Sequence, residues 1–281
     1  MLAYIEILRP LNGLMAVLAV IVGAAVAGVP FNPLYLGIIF AAVAVFLQTG
    51  AGMVLNDYFD LDIDKINKPL RPIPSKRISP ANAKIYAAVL FVASLVFAYL
   101  VNFYALGLSL FNIFVTYIYS ASLKRTSLGH FAASYLVASI YIFAALIIGN
   151  ISAAVLLLSA LAFFVNFGRE VAKGIEDFRG DKKFRAKTFE IEFGIPTAAL
   201  AGIAFTIVAI LLSPLPIYFG LKINYIYFAA AADLIFAYCC FFLWKSREET
   251  LEDSAKTGSR AQMFYKIGMV VALVAFAVGI L

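Results

Sequence analysis

The chain has 281 residues, is 64% hydrophobic and only 14% charged, and carries a net charge of +6. Its mean hydropathy of +0.96 lies outside the range of soluble globular domains and excludes a soluble enzyme. The basic balance has no nucleic-acid patch behind it and reads instead as a membrane-topology signal, suited to anionic headgroups or substrates at one face of a lipid bilayer.

Apolar runs of about 20 residues, the length that crosses about 30 Å of hydrocarbon as a helix, recur from end to end. Nine are expected, at 11–29, 34–56, 82–101, 104–122, 130–149, 151–175, 195–213, 223–244 and 263–281. The class is all-α, a polytopic membrane protein with one transmembrane domain over 1–281. The first run follows Arg9 and ends in Ala25-Val26-Ala27, a pattern a cleaved signal also shows, but eight further spans favour a retained helix.

The second run opens directly into LNDYFDLDIDKINKPLRPIPSKR, residues 55–77, with four aspartates and five cations. On a helix Asn56, Asp60 and Asp64 fall at i, i+4 and i+8 and share a face, with Asp57 beside them and Asp62 pointing away. The fourth run ends at Lys124 and Arg125, and the fifth begins with His130, the only histidine, read as a cap or loop residue. The sixth run continues into a second acidic signature. There Glu170, Lys173, Asp177 and Asp181 form one stripe provided that the helix persists through Gly180. In the eighth run Asp233 lies near mid-membrane, as a structural partner or a functional group, and Cys239 and Cys240 read as small hydrophobes. Gly13, Gly50 and Gly52 are expected to permit close helix packing.

The connections alternate. Those at 29–33, 102, 150 and 213–223 carry one cation, Lys222, whereas those at 57–80, 123–129, 176–194 and 245–262 hold most of the remaining Lys and Arg. By the positive-inside rule the N-terminus and the four charged loops face the cytoplasm and the C-terminus faces out. Asp60-x-x-x-Asp64-Lys65 and Asp177-x-x-x-Asp181-Lys182 are separated by four crossings, so both stand at helix ends of one polarity. That is the pattern of a repeat about the membrane normal, with halves at about 1–129 and 130–250. The expected architecture is two four-helix halves around a central cavity, plus a ninth helix.

Two carboxylates about 5 Å apart repel by roughly 3 kcal/mol at an effective dielectric near 20. An assembly of such acids needs cations, and oxygen-only donors select Mg²⁺, which takes one or two carboxylates and completes its coordination with substrate phosphate. Lys68, Arg71, Lys76, Arg77, Lys124, Arg125 and Lys173 are then candidates to surround a diphosphate. Each loop cation also has a plainer reading as a topology-setting charge.

Asn56-Asp57-x-x-Asp60-x-x-x-Asp64, Arg71-Pro72-Ile73-Pro74-Ser75 and Asp177-x-x-x-Asp181 resemble the UbiA superfamily of intramembrane prenyltransferases. Arg9-Pro10-Leu11-Asn12, Lys124-Arg125 and Arg169-Glu170-x-x-Lys173-x-x-Glu176-Asp177 resemble its archaeal ether-lipid branch. The resemblance implies nine helices, Mg²⁺ and transfer of an isoprenyl group from geranylgeranyl diphosphate to geranylgeranylglyceryl phosphate. It implies metal ligands at Asp60, Asp64, Asp177, Asp181 and Asn56, and diphosphate contacts at Lys173, Arg71, Lys68, Arg125 and Lys124. Asn12, Lys76 and Arg77 would hold the acceptor, and Glu170 or Asp57 would take its hydroxyl proton.

The chain departs from the resemblance at Lys173-Gly174, Gly129-His130 and Lys68-Pro69-Leu70-Arg71-Pro72, where many members carry Lys-Asp, Gly-Asn and Arg-Pro-Asp-Arg-Pro. Prenylation of an aromatic acid, 4-hydroxybenzoate or a naphthoate, is the rival enzymatic reading. An ion-coupled transporter is more distant, because transporter acids gather at the bilayer midplane and these gather at one face.

Overall fold

The computed structural model describes residues 2–30 and 35–280, apart from the side chain of Asn67. Leu34 and Leu281, the outermost residues of two expected spans, and 31–33 of the first connection lie outside them. Eleven α-helices follow in order: α1 Leu2–Leu8, α2 Pro10–Val26, α3 Leu36–Phe59, α4 Leu61–Asn67, α5 Pro80–Val101, α6 Phe103–Ala121, α7 Gly129–Ala145, α8 Ala153–Lys183, α9 Phe189–Leu212, α10 Asn224–Lys245 and α11 Leu251–Ile280. Among the described residues no strand forms, and one isolated bridge joins Thr126 to Lys187.

Among the described residues seven helices are long and apolar enough to cross a membrane: α3, α5, α6, α8, α9 from Ile195, α10 and α11. The expected first span is α1 and α2 together, bent by 49°, which raises the count to eight. The break falls at Arg9, whose φ of 49° is left-handed. The expected span 130–149 is α7, 17 residues long, shortened because its last turns tighten. Ile147, Ile148 and Gly149 donate to carbonyls three residues back, Gly149 turns left-handed at φ 69°, and Asn150 closes the end on the Ala145 carbonyl.

The chain divides into two compact units, residues 1–121 with 140–151, and 122–139 with 152–281. In the first, α3 packs against α2, α5 and α6. Gly13 and Gly50 permit the expected close approaches: a Cβ on Gly13 would come within 2.6 Å of the Phe46 ring, and one on Gly50 within 2.9 Å of Leu8. The buried residues Ile7, Ala51, Val54, Leu55, Ile73 and Ile78 tie α1, α3 and the loop 68–79 into one apolar cluster. That loop therefore has its own anchor. α5 begins sharply because Ser79 caps it, accepting from the Asn82 amide at 3.1 Å, with Pro80 in the first helical position.

In the second unit α8 packs against α9 and α11, and α10 against α9 and α11. α8 and α11 cross almost backbone to backbone, since a Cβ on Gly258 would sit 2.7 Å from the Ala172 carbonyl and 3.0 Å from the Glu176 amide. Asp233 proves to be a structural partner. It accepts from the Ser213 hydroxyl at 2.5 Å and so ties α10 to the end of α9. α8 spans 31 residues, a rod of about 46 Å at 1.5 Å per residue against about 30 Å of hydrocarbon. It is about three turns longer than that layer is thick, and the second acidic signature lies in its C-terminal part.

Candidate active site

The first signature lies where α3 gives way to α4 at Asp60 (φ −91°, ψ 4°). The helical bonding survives the break: Asp60, Asp64 and Lys68 each donate an amide to the carbonyl four residues back, at 3.0, 2.7 and 2.9 Å. Asn56, Asp60 and Asp64 thus keep the common face that their spacing implied. Asp62 points away, 91% exposed and paired with Lys65 at 2.8 Å, which holds its carboxyl below the usual range.

Asp57 and Asp64 are buried, at 2% and 4% exposure. Two arginines neutralise them. Arg71 Nη1 donates to Asp57 Oδ1 at 3.2 Å and to Asp64 Oδ2 at 2.6 Å, and Arg9 Nη2 donates to Asp57 Oδ1 at 2.5 Å. Arg9 was not singled out as a site residue. Its signal was the Arg-Pro pair, since a left-handed residue before proline is costly and persists only where its surroundings hold it.

Lys68 and Lys76 are exposed, and Lys76 has a left-handed backbone at φ 61°. Arg77 makes a two-pronged pair with Glu6, at 2.5 and 2.9 Å, and caps the Leu70 carbonyl at 2.6 Å. Asn12 is exposed, its amide 3.8 Å from Met53 Sδ.

The second signature is built differently. α8 persists through Gly180 to Lys183, so Glu170, Lys173, Asp177 and Asp181 do form one stripe. Glu170 is buried at 5% exposure and bonded to Arg169, while Lys173, Lys266 of α11 and His130 of α7 also act on it electrostatically. Lys173 and Asp181 are half-buried and Asp177 is exposed. Lys124 and Arg125 form a short 3-10 turn, fastened where the Lys187 amide donates to the Arg125 carbonyl at 2.8 Å.

His130 corrects the cap reading. Its Nε2 lies 2.6 Å from Oε1 of Glu190, a carboxylate with no exposed surface. Burial favours this pairing, because an ionised carboxylate out of water needs a partner. Glu190 escaped the sequence analysis, where it fell inside a charged loop. The available signal was an acid at the start of an apolar run in an otherwise cationic connection. Beside the pair, Phe131, Phe167 and Phe205 form an aromatic nest, with Phe167 and Phe205 stacked at 4.1 Å and the His130 ring 5.9 Å from Phe167.

Among the described residues no three His, Cys, Asp or Glu side chains gather into a site that would hold a metal alone. The donors are carboxylate and amide oxygens, and a buried carboxylate oxygen, Glu190 Oε2, has no hydrogen-bond partner among the described residues. This set fits a hard cation such as Mg²⁺ that draws the rest of its coordination from phosphate and water, and it does not fit zinc.

Buried acids paired with arginines at helix ends, in a frame with seven or eight candidate spans among the described residues, are the features of a polytopic membrane protein. The UbiA prenyltransferase family matches residues 16–278, and the chain belongs to that family. It is 37% identical to the digeranylgeranylglyceryl phosphate synthase of Methanobrevibacter smithii, over 98% of this chain and 97% of that one. A solved structure of a digeranylgeranylglyceryl phosphate synthase in membranes is 31% identical and matches with a TM-score of 0.80, covering 99% of this chain and 97% of the other. A UbiA homologue from Archaeoglobus fulgidus, bound to DMAPP and Mg²⁺, shares the fold at 18% identity and a TM-score of 0.73, over 98% of this chain and 99% of that one.

Proposed function

We propose that the chain transfers a geranylgeranyl group from geranylgeranyl diphosphate to the glycerol hydroxyl of geranylgeranylglyceryl phosphate, forming the second ether bond of archaeal membrane lipids. The observation that carries this reading is similarity along the whole chain to digeranylgeranylglyceryl phosphate synthases. In this reading nine crossings form two four-helix halves around a central cavity, with a ninth helix beside them. The N-terminus and the charged loops face the cytoplasm, and the C-terminus faces out.

Both acidic signatures serve one diphosphate. Asn56, Asp60, Asp64, Asp177 and Asp181 would hold Mg²⁺, which when bound supplies Lewis-acid stabilisation of the departing group. Arg71, Lys68, Lys173, Lys124 and Arg125 bind diphosphate oxygens and meet the charge that grows as the allylic C–O bond breaks. Arg71 is oriented for this by Asp57 and Asp64. The Phe131, Phe167 and Phe205 nest excludes water from the allylic cation and stabilises it through ring faces.

The acceptor oxygen bonds to the allylic carbon as diphosphate leaves, and its proton passes to a carboxylate. Glu170 and Asp57 are the two candidates, the first paired with Arg169 and the second with Arg9 and Arg71. Asn12, Lys76 and Arg77 bind the acceptor and its phosphate; the Arg77–Glu6 pair is exposed on both sides and exchanges readily.

The test is parallel incubation of purified protein, Mg²⁺ and labelled geranylgeranyl diphosphate with geranylgeranylglyceryl phosphate, 4-hydroxybenzoate and a naphthoate. Label is expected in the ether lipid. Label in the aromatic products alone overturns the assignment.

A further inference from the structure

The α8 stripe has a gap. Gly174 lies four residues after Glu170 and three before Asp177, in the middle of the face that carries Glu170, Lys173, Asp177 and Asp181, and it has no side chain to offer. The space is not empty. A Cβ built on Gly174 would collide with Cδ, Oε1 and Oε2 of Glu190, so the carboxyl group of α9 occupies the place where a side chain at 174 would begin.

Glu190 has no exposed surface. One of its oxygens takes the His130 Nε2 at 2.6 Å, while the other, also buried, has no hydrogen-bond partner among the described residues. The arginine and lysines of this region, Arg169, Lys173 and Lys266, act on Glu170. A buried carboxylate with half its acceptor capacity unmet is costly, and a carboxylate that ligates a metal has this division of labour: one oxygen fixed by a neighbouring hydrogen bond, the other left for the ion.

Resting on the diphosphate-and-Mg²⁺ reading above, we propose that Glu190 is a metal-binding carboxylate of the second acidic signature, delivered from α9 into the gap at Gly174 and oriented by His130. Its bare oxygen receives a divalent cation whose remaining coordination comes from diphosphate and water. Gly174 is required because any larger residue would displace that carboxyl group.

The test titrates Mn²⁺ into the detergent-solubilised full chain with inorganic diphosphate present, following free Mn²⁺ by electron paramagnetic resonance, with melting temperatures recorded alongside. Glu190→Gln, which keeps shape and the His130 contact, is expected to weaken Mn²⁺ binding about tenfold or more, and His130→Asn by about tenfold, as loss of an orienting partner does. Gly174→Asp alone is expected to disrupt the site by collision, and Gly174→Asp with Glu190→Ala to return affinity to within about threefold of the parent, as expected of carboxylates exchanged within one site. Parent-like affinity in Glu190→Gln together with weakened binding in Asp177→Asn overturns the assignment and leaves the proposed function standing. A lowered melting temperature in Glu190→Gln with unchanged Mn²⁺ affinity would make Glu190 a packing residue and also overturns it. No Mn²⁺ binding by the parent chain overturns both readings.

Discussion

The two acidic signatures match in sequence and differ in construction. The first is built at a break between α3 and α4, and its buried acids are internally neutralised: Asp57 by Arg9 and Arg71, Asp64 by Arg71. The second rides on the unbroken rod of α8, with Asp177 exposed, Asp181 half-buried, and a buried carboxylate borrowed from α9. Similar spacing therefore yields a broken helix with two buried acids on one arginine in one unit and a continuous helical stripe in the other. Arginine is preorganised in the first, while beside the second Glu190 Oε2 has no hydrogen-bond partner among the described residues.

The sharpest way to break this contrast is to delete one acid from each side. Asp60→Ala and Asp177→Ala should each lower turnover about a thousandfold or more while the protein still inserts, because metal and electrostatic stabilisation of a leaving group supplies several kcal/mol; near-normal transfer by either variant in the labelled-lipid assay would refute a shared role. Next in size, Arg71→Ala should destabilise the first unit by about 3 kcal/mol, the cost of stranding buried acids, whereas Arg169→Ala, which leaves Glu170 with Lys173, His130 and Lys266, should cost less. Thermal unfolding in detergent compares them, and equal losses would erase the distinction.

Smaller still, Gly258→Ala should cost about 1–3 kcal/mol by forcing α11 off the α8 backbone, as overpacking does; an unchanged melting temperature would mean that the crossing is looser than described. At the bottom of the scale, Asp62→Asn should leave stability unchanged, since both partners of its pair with Lys65 are exposed. Because Lys65 lowers the Asp62 pKa, whatever the pair contributes is present above the ordinary carboxylate range and is lost as pH falls through the lowered value. A measurable loss at neutral pH would count against the exposed reading.

Much of this was legible because periodicity and charge are local signals. The common face of Asn56, Asp60 and Asp64, the outward turn of Asp62 and the persistence of the Glu170 to Asp181 stripe all follow from 3.6 residues per turn. Contacts between distant segments were not legible. Nothing in the neighbourhood of Arg9 pairs it with Asp57, and nothing near His130 announces Glu190 sixty residues on. The departure at Gly174 was visible as a missing acid, but its replacement came from another helix, and only helix packing brings the two together. Hydropathy also gave the apolar run of α7 more length than its 17-residue helix has, because hydropathy measures composition and not rise per residue.

The length of α8 has one further consequence. This helix is about 15 Å longer than the hydrocarbon layer is thick, and it runs without a break from its apolar half to its acidic tip. Any tilt imposed on the buried half by thinner or thicker lipid is carried outward and swings the acids through an arc.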